Sequence, residues 1–508
     1  MRKLSSFKNF ITSTVPFIIL IFIGFWKVNI WQNTLDQDIY ALNQLFFQIF
    51  AYLSLAEAGV GALVQKEYYK LFITDDREKI CIFYTLSRKM LRVACYIIIV
   101  VGSIVSFFIP MMAKGNNLTS AYMQKIFMLF LGKSLVDYFM FSPRFVLQAD
   151  QKLYKINIQM NAYKILEGIM EVIFIMKGMK YEHVLILVFF LRILMNYHIN
   201  KLVFKEYPWL KTVKDTKELK ITGMRSVFIY KVVSVIYENV DILLVSSFVN
   251  PLSVIIYSNY KYITKYLTDL LYLIGNSITA SLGNLLYTVR DENTYHTYEM
   301  ISTMFYFIAA FLTVVLGFCM NSFISIWVGA DKLFDPVSFV CVLFLFFHGI
   351  VRRPQYILKD IFALYKELQM ISIIESVLNL ILSFLFVHSY GIRGVLVATV
   401  ISTLSTNFWY FPTYLYRKIF DKRPWLDFIK YLSVEGMVVL IIAISYKFIP
   451  HISTGGYIIW FVQSCIYSLS ALIVLLVLFS VMFKSFRRLL VQATEMLLSI
   501  IKHDKNSL

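Results

Sequence analysis

The chain has 508 residues, of which 59% are hydrophobic and 16% charged, and its formal net charge is +18. Soluble domains carry roughly 25% charged residues, so a chain this apolar is excluded from that class. The basicity would suit nucleic acid, but most of it lies in alternate loops between apolar runs, which argues against that reading.

Apolar runs of about 20 residues recur from end to end, the length a bilayer-crossing helix needs. Fourteen spans are expected, over 10–30, 40–63, 91–110, 124–143, 156–176, 183–203, 225–249, 253–277, 299–320, 337–353, 370–388, 392–412, 430–448 and 457–483. With the N-terminus inside, the loops 64–92, 144–155, 204–224, 352–369 and 413–430 fall on one side. That side holds about 35 of the 49 Lys and Arg, with about 8 outside and about 6 within spans. An even number of spans returns the C-terminus to the cytoplasm, and the basic surface favours anionic lipid headgroups.

The first span lacks an A-x-A cleavage site and ends in Trp26, Lys27 and Trp31, an interfacial anchor pattern, so it reads as a retained helix. Gly59 and Gly61 in the second span permit close helix contact. The next spans carry charge: Lys133 and Asp137 in the fourth, Lys164, Glu167 and Glu171 in the fifth, Arg192 in the sixth. The seventh holds Lys231, Glu238 and Asp241, the eighth Lys261, Lys265 and Asp269, the eleventh Glu375. In the eighth, Tyr257, Lys261, Thr264, Lys265, Thr268, Asp269, Tyr272 and Asn276 recur at three- and four-residue steps, a wet stripe with a cationic middle. Spans 13 and 14 have no basic residue deep in their cores and read as peripheral. From Phe486 to Ile501, apolar residues at Leu489, Leu490, Ala493, Met496, Leu497, Ile500 and Ile501 predict an interfacial amphipathic helix. The five cysteines show no paired spacing and read as small apolar helix residues.

One internal repeat stands out. Pro143, Leu147, Leu153, Tyr154 and Lys155 recur as Pro354, Leu358, Leu364, Tyr365 and Lys366, each offset by 211 residues. The offset maps span 1 onto span 7, so two six-helix halves keep the same orientation in the membrane, with the substrate path expected between them. It also superimposes Lys164 on Glu375, Asp137 on His348 and Lys27 on Glu238. The expected organisation is all-α: a six-helix lobe over 1–210, a second over 211–420, and over 421–508 two added spans and the amphipathic helix.

A charge at the bilayer centre costs about 2.5–3.5 kcal/mol on insertion scales. A dozen facing lipid would be untenable, so they pair or line a wet cavity. Local pairing offers Lys133–Asp137 and Lys265–Asp269 at i,i+4 and Lys164–Glu167 at i,i+3. Alternatively Lys231, Lys261, Lys265, Arg192, Lys133 and Lys164 bind an anionic group, for which a phosphate or pyrophosphate is suited. Glu238, Asp241, Asp269, Glu375, Glu167, Glu171 and Asp137 then balance charge or exchange protons or Na+. Asn259 and Tyr257 are candidate polar cavity residues. No cofactor or metal is expected, coupling to a Na+ or H+ gradient stays open, and no enzyme motif emerges.

Several ordered motifs resemble bacterial polysaccharide-biosynthesis membrane proteins: S-L-A-E-A-G-V-G-A-L at 54–63, L-Q-A-D-Q-K-L-Y at 147–154, Y-P-W-L-K at 207–211, N-V-D-I-L-L-V-S at 239–246, I-Y-S-N-Y at 256–260, T-A-S-L-G-N at 279–284, I-S-I-W-V-G at 324–329, L-N-L-I-L-S at 378–383 and G-I-R-G-V-L at 391–396. Across about residues 1–420 the series is similar to the Wzx-type flippases, in the group that includes MATE exporters and the lipid II flippase. The resemblance implies two six-helix lobes around a V-shaped cavity in the bacterial cytoplasmic membrane. It implies translocation of an undecaprenyl-pyrophosphate-linked oligosaccharide for O-antigen, capsule or exopolysaccharide assembly, with a polymerase and glycosyltransferases as candidate partners. Only Lys231, Asp241 and Asn259 map onto the family pattern; the other site residues follow from helix faces. A MATE-type cation-coupled exporter, a membrane enzyme of glycan assembly and a scaffold remain the alternatives.

Overall fold

The structure is a computed structural model. It describes residues 2–57, 68, 71–72, 76–140, 142–150, 152–214, 224–288, 292–362 and 364–505. Within these, the side chains of 2–11, 13, 57, 224–231, 233–234, 237–238, 273–274, 276–288, 292–294, 493 and 496–505 are outside the description. Gly59, Gly61 and the side chains of Lys231, Glu238 and Asn276 therefore lie outside the described residues.

Most of the expected spans coincide with helices; the second, 40–63, runs past the helix Gln37–Leu53 into residues outside the description. The first unit, Met1–Ile255 with Val387–Ile392, contains α1 (Arg2–Thr34), α2 (Gln37–Leu53), α3 (Arg77–Met112), α4 (Ser120–Met140), α5 (Arg144–Ala149), α6 (Tyr154–Met176), α7 (Tyr181–Glu206) and α8 (Met224–Phe248). α1 lies along α6, α4 packs on α3 and α7, and α2 packs on α8. α9 (Pro251–Thr288) begins at its end. The second unit, Ile256–Phe386 with Arg393–Leu508, contains α10 (Glu292–Trp327), α11 (Pro336–Val351), α12 (Arg353–Ile361), most of α13 (Tyr365–Ser405), α14 (Asn407–Phe420), α15 (Trp425–Phe448), α16 (Tyr457–Met482) and α17 (Lys484–Lys505). There α10 is the hub, touching α11, α15, α16 and α17.

Asp side chains start several helices by accepting backbone amides: Asp36 before α2, Asp76 before α3 and Asp335 before α11. α13 covers two expected spans and turns sharply at Gly391, whose φ of 56° and ψ of −135° interrupt the helix. Only glycine adopts that conformation cheaply.

The 211-residue repeat is visible in the helix boundaries. Pro143 caps short α5 and Leu153 caps α6; the short α12 follows Arg352, and Leu364 caps α13. α6 and α13 thus begin at the matched residues Tyr154 and Tyr365, and Leu147 and Leu358 are buried.

Outer faces are apolar, as lipid requires. On α16, Ile458, Val462, Ile466, Leu469, Ile473 and Val477 are exposed at three- and four-residue steps, while Ser464, Tyr467, Ala471, Leu475 and Phe479 are buried. Among the described residues, nine helical stretches are long and apolar enough to cross a membrane. α4 and α6 fall short of that hydropathy because the embedded charges are concentrated there. The chain is a multi-pass membrane protein.

Candidate functional site

Charged residues of the first unit converge on one network drawn from five helices. Glu171 of α6, 2% exposed, accepts from Lys27 of α1 and lies 3.7 Å from the ammonium of Lys133 on α4. The Lys27 ammonium also sits 4.3 Å from the centre of the Trp31 ring. One helical turn before Glu171, Glu167 holds Arg192 of α7 bidentately, at 3.1 Å from Nε and 2.9 Å from Nη2. The remaining arm of Arg192, Nη1, reaches Asp137 of α4 at 3.2 Å. The other oxygen of Asp137 accepts from Asn196 at 2.8 Å, and Asn196 accepts in turn from the buried Arg144. Arg192 and Asn196 are one turn apart, so α7 presents both to the same carboxylate.

Lys164 is the exception. It is exposed, makes no ion pair or hydrogen bond among the described residues, and lies in electrostatic reach of Asp137, Glu167, Arg144 and Arg192. With it, five cationic groups (Lys27, Lys133, Arg144, Lys164 and Arg192) face three carboxylates. Among the described residues, the network carries a positive surplus.

The second unit arranges its polar residues differently. Lys265 pairs with Asp269 at 3.2 Å along α9, and Lys261, half-buried, has its ammonium 5.5 Å from the Tyr257 ring. Tyr257 and Asn259 are themselves buried. Glu375 of α13 is buried, accepts from Asn407 and Thr403, and makes no ion pair among the described residues. Thr403 and Asn407 are the 211-residue counterparts of Arg192 and Asn196, so each unit uses one pair of positions, a turn apart, to hold a carboxylate. A further buried cluster joins Arg352 to Gln355 at 2.9 Å and Gln355 to Asp427 at 3.2 Å. Tyr306 donates to Asp427 at 3.2 Å, which fastens α15 to α10 and α12. In the first unit, Asp241 of α8 is buried in electrostatic reach of Tyr52.

Of the three local pairings, only Lys265–Asp269 forms. Lys133 turns to Glu171, and Asp137 and Glu167 share Arg192, because interhelical partners supply better-placed charge than the next turn of the same helix. Lys27, read as an interfacial anchor, reaches Glu171 for the same reason, while neighbouring Trp26 is exposed and Trp31 is buried. Sequence reasoning gave no role to Arg144, Asn196, Arg352, Asn407 or Asp427. The 211-residue register carried a usable signal for two of these, since it pairs Asn196 with Asn407. Lys231 and Glu238 lie outside the described side chains.

No protein-family model and no curated protein matches the chain. Solved structures do. The lipid II flippase MurJ in an inward closed conformation is similar with a TM-score of 0.65 at 16% identity, covering 94% of this chain and 98% of that one. A multidrug-resistance MATE transporter of the MOP superfamily, inward-facing, gives 0.55 at 14%, covering 83% and 95%. A MOP-superfamily transporter from Pyrococcus furiosus, described as having a binding pocket of reverse polarity, gives 0.51 at 13%, covering 78% and 92%. The chain has the fold of these transporters; the solved structures it resembles are transporters and flippases rather than enzymes.

Proposed function

We propose that the chain is a flippase that moves an undecaprenyl-pyrophosphate-linked oligosaccharide across the bacterial cytoplasmic membrane by alternating access. The observation that carries this reading is the positive surplus of the first-unit network. A pyrophosphate supplies the missing negative charge, whereas a cationic drug would add to the repulsion. Lys164 is the group best placed to meet it, with Lys133 and Arg192 behind; Lys231, Lys261 and Lys265 are proposed for the same cargo. The likeness to a lipid II flippase over nearly the whole of both chains supports a lipid-linked cargo. Surface-polysaccharide assembly, with a polymerase and glycosyltransferases acting on the product, is part of the same reading, as are cytoplasmic termini.

Glu375 favours a second reading. A buried carboxylate that accepts from Asn407 and Thr403 and makes no ion pair among the described residues suits ion coupling, with Asp241, Asp269 and Glu238 as further candidates, and a cation-coupled exporter of small amphiphiles would also use one. Deletion and complementation separate the two. The flippase reading expects deletion to abolish surface polysaccharide and leave lipid-linked repeat units accumulated inside, with Lys164→Ala and the Lys261→Ala/Lys265→Ala double variant failing to restore export. Loss of drug tolerance alone, with polysaccharide intact, overturns it.

A further inference from the structure

The C-terminal helix is fixed at its start and unpartnered along its basic side. α16 ends at Met482, and α17 begins two residues later. Ser485 Oγ lies 2.8 Å from Thr303 Oγ1 of α10, which also accepts from the Lys430 ammonium of α15. Phe486 is 2% exposed, its ring 4.9 Å from that of Phe307 and 5.4 Å from that of Phe479. These contacts set the direction in which α17 leaves the bundle.

Lys484, Arg487 and Arg488 flank this buried pair and are all exposed. None forms an ion pair among the described residues. On the next turn, Val491 is 55% exposed. The arrangement is therefore a cationic turn held at the end of a membrane-crossing helix, with the half-buried Leu489 and Leu490 and the exposed Val491 following it. Such a turn lies at headgroup level, where each Lys or Arg gains attraction to anionic lipid within a Debye length. Amphipathic continuation of the sequence suits a helix lying in the interface plane.

We propose that the first turns of α17 are an anionic-lipid binding surface, with Lys484, Arg487 and Arg488 engaging phospholipid phosphates while the apolar side enters the acyl boundary. A soluble acidic protein is the less favoured occupant, because the surface lies beside the end of a span. The inference does not depend on which cargo the protein moves.

The test is backbone hydrogen exchange on the full chain in nanodiscs of phosphatidylcholine, with and without phosphatidylglycerol. Amides over 487–495 are expected to exchange about tenfold more slowly or better when phosphatidylglycerol is present, and high salt is expected to reverse the change. K484Q/R487Q/R488Q should lose the response, whereas K484R/R487K/R488K should keep it, which separates charge from misfolding. Equal exchange in the two lipids, or an unchanged response in the Gln variant, overturns the proposal. So does protection that appears in native membranes but never in pure lipid, which would assign the surface to a protein.

Discussion

Glu171 is the shared anion of two ammonium groups, and that makes its loss worse than the loss of either partner. In Glu171→Gln the carboxylate charge disappears while Lys27 and Lys133 stay. Lys133 is 4% exposed, so its ammonium cannot reach water. Breaking a buried pair in this way costs about 3–5 kcal/mol. Lys27 keeps a quarter of its side chain exposed and can rehydrate, which adds under about 1 kcal/mol. Lys133→Met alone is milder, about 1–2 kcal/mol, because Glu171 retains Lys27. In the double variant the stranded ammonium is gone, and stability should recover by about 2 kcal/mol or more relative to additivity. Denaturant unfolding of the four proteins in one mixed-micelle system measures this. A Glu171→Gln cost below about 0.5 kcal/mol, or strict additivity of the pair, refutes the ion-pair account.

Other expectations follow from particular contacts. Lys164→Ala should leave unfolding within about 0.5 kcal/mol of the parent, since the side chain is exposed and unpaired among the described residues, yet should abolish polysaccharide export in complementation. Gly391→Ala forces a side chain into φ 56° and ψ −135° and should cost about 1–3 kcal/mol. Gly394→Ala should cost at least as much, because its Cβ would lie 2.4 Å from the carbonyl oxygen of Phe386, a backbone atom that cannot swing away; unfolding curves compare the two. Burial alone would raise the Asp335 carboxyl, but the Ser338 hydroxyl and amide and the Arg393 guanidinium, 3.0 Å away, hold it below its ordinary 3.8. A depressed folded value means its contribution is full above pH 4 and is lost as pH falls through the lower folded value. Asp335→Ala should thus cost about 1 kcal/mol at pH 7 and progressively less in acid. A pH-independent difference contradicts that cause.

The helices were legible because the membrane imposes a long apolar run on each, and the repeat was legible because its residues set helix starts. Tyr154 and Tyr365 open α6 and α13 at matched positions, which a sequence comparison can find. Charge pairing was less legible. Spacing along one helix suggested Lys133–Asp137 and Lys164–Glu167, but partners are chosen across helices, and no spacing reveals that Arg192 of α7 lies between Glu167 of α6 and Asp137 of α4. Neutral members such as Asn196 and Asn407 escaped because an amide within a span carries no obvious cost in sequence. The turn at Gly391 was signalled only as the gap between two expected spans, since its backbone angles depend on the helices on either side.

Transport by the purified chain tests the central claim most directly. In proteoliposomes, the wild-type protein should translocate a pyrophosphate-linked prenyl oligosaccharide, and Lys164→Ala should slow this at least tenfold without loss of folded protein. Movement of cationic amphiphiles with no transfer of the pyrophosphate-linked lipid would contradict the claim.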